Sequence, residues 1–197
     1  MPVLGITGGV ATGKSTFTRR LVKILNGEVF DADATARDLL QQNEAVKEAV
    51  IAAFGKGIVD ETGQISRARL REIVFQEPAK RKILEGIIHP AVREEWKRKA
   101  GEFETRSTWF LVDHPLLYET GADRILKNVV VVACSLATQR SRLLGERGLP
   151  PLVAEGILAA QWPLGEKIKR ADFLIWSDTP LAQLDVQVTQ LANLLTR

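Results

Sequence analysis

The sequence predicts an α/β fold, a five-stranded parallel sheet flanked by helices and carrying a helical insertion. Three observations predict it. The chain opens on a strand, a glycine-rich loop, a helix and a second strand, which is a βαβ unit. Three more short apolar runs follow late in the sequence, each suited to a buried strand. Between these two groups, residues 34–99 carry helical patterns with little strand signal, which reads as an insertion.

Pro2-Val3-Leu4-Gly5-Ile6-Thr7 is the first strand, short, apolar and β-branched, and it runs into a glycine pair. From Lys14 the period changes. Phe17, Leu21, Ile24 and Leu25 form one helical stripe, and Asn26-Gly27 punctuates its end. Glu28-Val29-Phe30-Asp31 is the second strand and enters Asp31-Ala32-Asp33. In the insertion the helical pattern breaks at Phe54-Gly55-Lys56-Gly57, at Glu61-Thr62-Gly63 and at His89-Pro90, where a new helix is expected with proline in its first turn. Ile83, Leu84, Ile87 and Ile88 form an apolar stripe. Trp109-Phe110-Leu111-Val112 is the third strand and ends at Asp113; Val129 to Ala133 is the fourth; Ala171 to Trp176 is the fifth. Arg140 to Arg170 is basic and helical, and Leu181, Leu184, Val188, Leu191 and Leu195 mark an amphipathic terminal helix.

Composition bounds the function classes. The 197 residues are 45% hydrophobic and 26% charged, the ordinary globular mixture, which excludes a disordered, collagen-like or disulfide-framed chain. The net charge of +3 suits a protein that handles phosphates and is too small to argue for nucleic acid. The single cysteine, Cys134, follows an apolar run and reads as a small buried hydrophobe. The two histidines are far apart, so no Cys/His zinc site is expected. No apolar run approaches the roughly 18 residues of a bilayer span, and no basic segment followed by a hydrophobic stretch opens the chain. A cytoplasmic protein is expected, without membrane or nucleic-acid partner, as a monomer or weak homo-oligomer.

The sharpest signal is Gly8-Gly9-Val10-Ala11-Thr12-Gly13-Lys14-Ser15, followed by Thr16. It matches G-x-x-x-x-G-K-[ST], after a strand and opening a helix, as a phosphate-cradling loop must. Glycines let successive backbone N–H groups point inward, and the helix directs its positive end at the same anion. Lys14 is expected on the β- and γ-phosphates and the Ser15 hydroxyl on Mg²⁺. Asp113, closing an apolar strand, is a second candidate for Mg²⁺.

Beyond the loop, several segments carry a resemblance. They are Thr7-Gly8-Gly9 through Gly13-Lys14-Ser15-Thr16; Asp31-Ala32-Asp33 with Ala36-Arg37; Phe54-Gly55; Arg67 and Leu70; Val74-Phe75; and Leu84-Glu85 with His89-Pro90 and Arg93. Asp113-His114-Pro115-Leu116-Leu117-Tyr118-Glu119, Gln139 with Arg142, Ile157 to Gln161, and Ala171-Asp172 complete the series. On these, the chain resembles the dephospho-coenzyme A kinase family, P-loop kinases related to nucleoside monophosphate kinases. The resemblance implies a P-loop NTPase fold with ATP and Mg²⁺, and transfer of the ATP γ-phosphoryl to the 3′-hydroxyl of dephospho-coenzyme A. It implies ATP contacts from Gly9, Ala11, Thr12, Gly13, Lys14, Ser15 and Thr16, with Arg142 and Arg147 from a lid. It implies acceptor contacts from Asp33, His89, Arg93, Asp113 and Leu116, with Lys14, Asp33 and Arg142 in the chemistry. Asp33 is read as the general base or as an N-cap of the following helix, and Asp31 as a turn or cap residue.

Three departures from that family stand out. Ala11-Thr12 replaces a more usual Gly-Ser, His114 replaces an apolar residue, and Trp176-Ser177-Asp178 stands where an Asn is frequent. For His114 a backbone-bonded buried histidine is expected. The expected organisation is a nucleotide core of 1–33, 106–138 and 171–197, an acceptor-binding insertion of 34–105 and a lid of 139–170. The rival readings are a kinase for another nucleoside or nucleotide, and a nucleotide-dependent switch. A guanine-selecting N-K-x-D run is absent from the sequence, which argues against a GTPase.

Overall fold

Five parallel strands set the frame in the computed structural model, which describes residues 3–103, 108–126 and 128–196. They are β1 (Val3–Gly8), β2 (Glu28–Asp31), β3 (Phe110–Asp113), β4 (Val129–Ala133) and β5 (Phe173–Trp176), in the order β2-β3-β1-β4-β5. Parallel neighbours need crossovers, and the helices supply them. The register places Asp31 opposite Asp113, and Asp113 opposite Ile6. Carboxylates therefore close β2 and β3, which lie on one side of β1, at the edge where the phosphate loop begins.

The chain divides into two units, Met1–Asp31 with Glu102–Arg197, and Ala32–Gly101. The first holds the sheet. On one face, α1 (Lys14–Leu25) and α9 (Leu181–Leu195) bury Phe17, Leu21, Leu25, Leu184, Val188 and Leu191 against Leu4, Ile6, Val130, Val132 and Ile175. Two expected stripe members are outside this core. Ile24 is 51% exposed because Thr18, not Ile24, shares the inward face with Phe17, Leu21 and Leu25. Leu181 is 60% exposed at the first turn of α9. After β4, α6 (Leu136–Ser141) runs into a five-residue π turn, Arg142–Glu146, then α7 (Pro151–Ala159) and α8 (Leu164–Lys169). Cys134 is buried, and burial pushes its thiol up.

The second unit is helical: α2 (Ala32–Gln42), α3 (Glu44–Phe54), α4 (Arg67–Gln76) and α5 (Pro78–Glu102). Asn43 and Ser66 cap α3 and α4 through their side chains. Two of the expected breaks are present. Gly55 ends α3 at φ 83°, and Gly63 turns between Val59 and Ile65, which bridge antiparallel. The third is not: α5 runs unbroken through Pro90. Proline costs a helix interior ~3 kcal/mol or more through the lost bond and the clash with the carbonyl four residues back. Here that residue is Gly86, which is exposed, so water can take its carbonyl. The stripe Ile88, Val92, Trp96 and Ala100 offsets the cost by burial across the proline. Ile83 lies off that stripe and is 44% exposed.

The expected boundary between 105 and 106 falls outside the described residues, as does Pro2. Among the described residues no helix is long and apolar enough to cross a membrane.

Candidate active site

The phosphate loop leaves β1 at Gly8 and enters α1 at Gly13. Gly8 is required by contact: a Cβ there would lie 2.4 Å from the Val132 carbonyl oxygen. Gly13 is required by torsion, at φ 80°. Ala11 also adopts a left-handed conformation, φ 57°, where an L side chain is strained by about 1–2 kcal/mol. Its methyl is buried against Leu143 and Ala154, with Val10, Leu149 and Leu158 around them. That packing offsets the torsional cost and answers the departure from glycine. No side chain caps α1, so its first-turn dipole is available to an anion.

Lys14 rises from the first helical position and pairs with Asp113, whose other oxygen accepts the Thr18 hydroxyl at 3.1 Å. The loop lysine and the carboxylate of β3 are thus brought together, 99 residues apart in sequence. Ser15 is exposed beside Lys14 and Thr16 half-buried. The described residues hold no cluster of three His, Cys, Asp or Glu side chains. One hydroxyl and one carboxylate suit Mg²⁺, which keeps water and takes phosphate oxygens instead of a protein cage.

Three side chains from the segment between β4 and α8 stitch this loop. Gln139 Nε2 donates to the Val10 carbonyl at 2.7 Å, and Gln161 Oε1 accepts the Val10 N–H at 2.9 Å. Arg142 donates to the Ala11 carbonyl at 2.9 Å, to the Ser177 carbonyl at 3.0 Å and to the Ser177 hydroxyl at 3.3 Å. The Ser177 hydroxyl donates in turn to the Thr12 carbonyl at 2.6 Å. Asp178 accepts the Ser135 N–H at 2.9 Å. Burial would raise the Asp178 carboxyl, but bonds from Thr138 and Ser135 and the Arg142 charge outweigh it and hold it low. Arg147 is exposed, and Arg140 pairs with Glu155 at the surface.

His114 is buried, as expected. Its Nδ1 accepts the Leu116 N–H at 3.2 Å, so Nε2 carries the proton in the neutral ring and faces the Thr120 hydroxyl at 3.3 Å. Leu116 itself is half-buried.

The remaining expected residues belong to the second unit. Asp33 is exposed in the first turn of α2, which begins at Ala32, so it is not the N-cap. A carboxylate there suits the helix dipole. His89 and Arg93 lie one turn apart on α5. Burial lowers the His89 imidazole pKa; Glu85 opposes this, and Arg93 and Arg81 reinforce it.

Gln139 and Arg142 were legible as a spaced pair, but their partners were not, since the bonds span 129 and 131 residues. Lys167, whose ammonium donates to the Pro115 carbonyl at 2.8 Å and the Gly8 carbonyl at 3.4 Å, was missed altogether. Its signal was a lysine on the face of α8 that also carries Leu164 and Ile168.

The sheet order, the loop and the Lys14–Asp113 pairing define a class, a P-loop protein of the kinase type. A shikimate kinase from Bacteroides thetaiotaomicron shares the fold alone, with a TM-score of 0.55 at 14% identity over 100% of this chain and 99% of that one. The particular family is more specific. A family model described as Dephospho-CoA kinase matches residues 2–183. A dephospho-CoA kinase from Symbiobacterium thermophilum is 40% identical over 95% of this chain and 79% of its own length. One from Enterococcus faecalis is 34% identical over 94% and 93%. The solved structure of a dephospho-CoA kinase from Campylobacter jejuni superposes with a TM-score of 0.66 at 25% identity, covering 98% of this chain and 96% of that one. TT1252 from Thermus thermophilus superposes at 0.80 with 29% identity and the same coverage. The chain belongs to the dephospho-CoA kinase family.

Proposed function

We propose that the protein transfers the γ-phosphoryl group of ATP to the ribose 3′-hydroxyl of dephospho-coenzyme A, giving coenzyme A and ADP. The observation that carries this is the family match across residues 2–183, which includes both the phosphate loop and the helical insertion. Phosphoryl transfer needs alignment and charge neutralisation more than covalent help. The loop backbone and the α1 dipole hold the phosphates. Lys14 exchanges its Asp113 partner for phosphate oxygens as the nucleotide enters. Ser15 and Asp113 would hold Mg²⁺, which when bound neutralises the β- and γ-phosphate oxygens. Asp33 orients the 3′-hydroxyl and takes its proton. Arg93 pairs with acceptor phosphate, with His89 as a neutral neighbour. Arg142 and Arg147 belong to a lid over the phosphates, where excluding water limits hydrolysis of ATP.

The experiment is a competition. Purified protein receives ATP and Mg²⁺ with dephospho-coenzyme A and a panel of nucleoside monophosphates. Formation of coenzyme A is the expected result. Phosphorylation of a monophosphate alone overturns the acceptor assignment.

A further inference from the structure

Lys167 is fully buried, with 0% of its side chain exposed. Lysine is almost never buried this way unless paired. Its ammonium has three N–H donors, and three oxygens receive them: the Pro115 carbonyl at 2.8 Å, Glu119 Oε1 at 2.8 Å and the Gly8 carbonyl at 3.4 Å. Gly8 is the residue from which the phosphate loop starts, and Pro115 lies two residues past Asp113. The Thr7 hydroxyl donates to the same Pro115 carbonyl at 3.1 Å, and the His114 N–H to the Ile6 carbonyl at 2.9 Å. The ends of β1 and β3 are therefore joined beyond their ladder, with one ammonium at the junction. Burial and the Lys14 charge push the Lys167 pKa down, and Glu119 opposes them.

We propose that Lys167 is a positioning residue for phosphoryl transfer: by tying Gly8 to Pro115 and Glu119, it fixes the Lys14-bearing loop against the Asp113-bearing strand. This rests on the phosphotransferase reading above. Stability alone does not call for a lysine here, since apolar replacement of a buried ion pair is often neutral or stabilising. What an apolar residue cannot do is hold two strand-end carbonyls at one point. Displacing catalytic groups by as little as 1 Å can cost on the order of 100-fold in rate.

The test separates fold from position. Lys167→Met alone leaves the Glu119 carboxylate without its cation and should melt well below the unmodified protein. Lys167→Met with Glu119→Gln removes both charges and should restore the melting temperature. The proposal expects the double variant still to bind ADP about tenfold or more weakly, and to turn over about tenfold or more slowly, with KM for the acceptor unchanged. Unmodified ADP affinity and turnover in the double variant overturn it. Absence of a cooperative melt in the double variant overturns it as well, since the lysine is then needed for folding. The ADP titration uses no acceptor. Failure of the unmodified protein to phosphorylate dephospho-coenzyme A would therefore count against the function and leave this inference standing.

Discussion

Arg142 offers the clearest perturbation of the loop. Its guanidinium spans the Ala11 and Ser177 carbonyls at 2.9 and 3.0 Å, and it also meets the Ser177 hydroxyl at 3.3 Å. Arg142→Lys keeps the charge but replaces a planar fork, whose two terminal nitrogens each take one carbonyl, with a single nitrogen on a shorter side chain that cannot stand at both fork positions. A hydrogen bond from a charged donor contributes about 1.5–3 kcal/mol net. Arg142 is only half-buried, so water recovers part of what the orphaned carbonyl loses. We expect a loss of about 2 kcal/mol, and hence a melting temperature lower by roughly 4–8 °C for a domain of this size. The same bond fixes the loop at Ala11, whose left-handed torsion is already strained. Nucleotide binding should therefore weaken too, by about tenfold for each 1.4 kcal/mol of loop ordering that ligand must supply. Calorimetric melting and an ADP titration read the two effects separately. A variant that melts within about 1 °C of the unmodified protein and keeps its ADP affinity refutes the reasoning, because the fork would then hold nothing in place.

Three further outcomes are expected. Gly8→Ala places a Cβ 2.4 Å from the Val132 carbonyl and 2.9 Å from Thr12 Oγ1, so β1 and β4 must part; a cost of about 1–3 kcal/mol should show in thermal melting, and an unchanged melt means the strand ends yield freely. Asp33→Asn should lower kcat by ~10²–10⁴-fold in an ADP-release assay if Asp33 takes the hydroxyl proton, and near-normal turnover removes it from that role. His89 has a folded-state pKa below its ordinary 6.5, chiefly through burial, so the unfolded chain binds the extra proton. Stability should fall as pH drops below about 6.5, down to the folded-state pKa, and denaturant titrations of His89→Gln should lack that component.

Much of the site was readable because its parts are local. The phosphate loop is eight consecutive residues whose glycine spacing is itself the signal, and strand and helix fall directly on either side of it. Asp113 was readable because a carboxylate closes an apolar run. His114 was readable as a buried histidine because it stands where the resembled family carries an apolar residue, although its tautomer required the Leu116 N–H. Pro90 misled for the converse reason. A local rule predicts a break, and it is overridden by a stripe of buried side chains that extends on both sides of the proline.

By itself the sequence determined which segments are strands and helices of the sheet unit, where the glycine-rich loop lies and which family the pattern resembles, since these depend on neighbours within a turn or a strand. Only the tertiary structure decided how the loop is held. Gln139, Gln161 and Arg142 bind loop backbone from more than a hundred residues away, and Lys167 gathers carbonyls from two strand ends. A backbone carbonyl carries no residue identity. A side chain that binds one therefore leaves no paired signature in the sequence, and its partner becomes visible only when the strands are laid side by side.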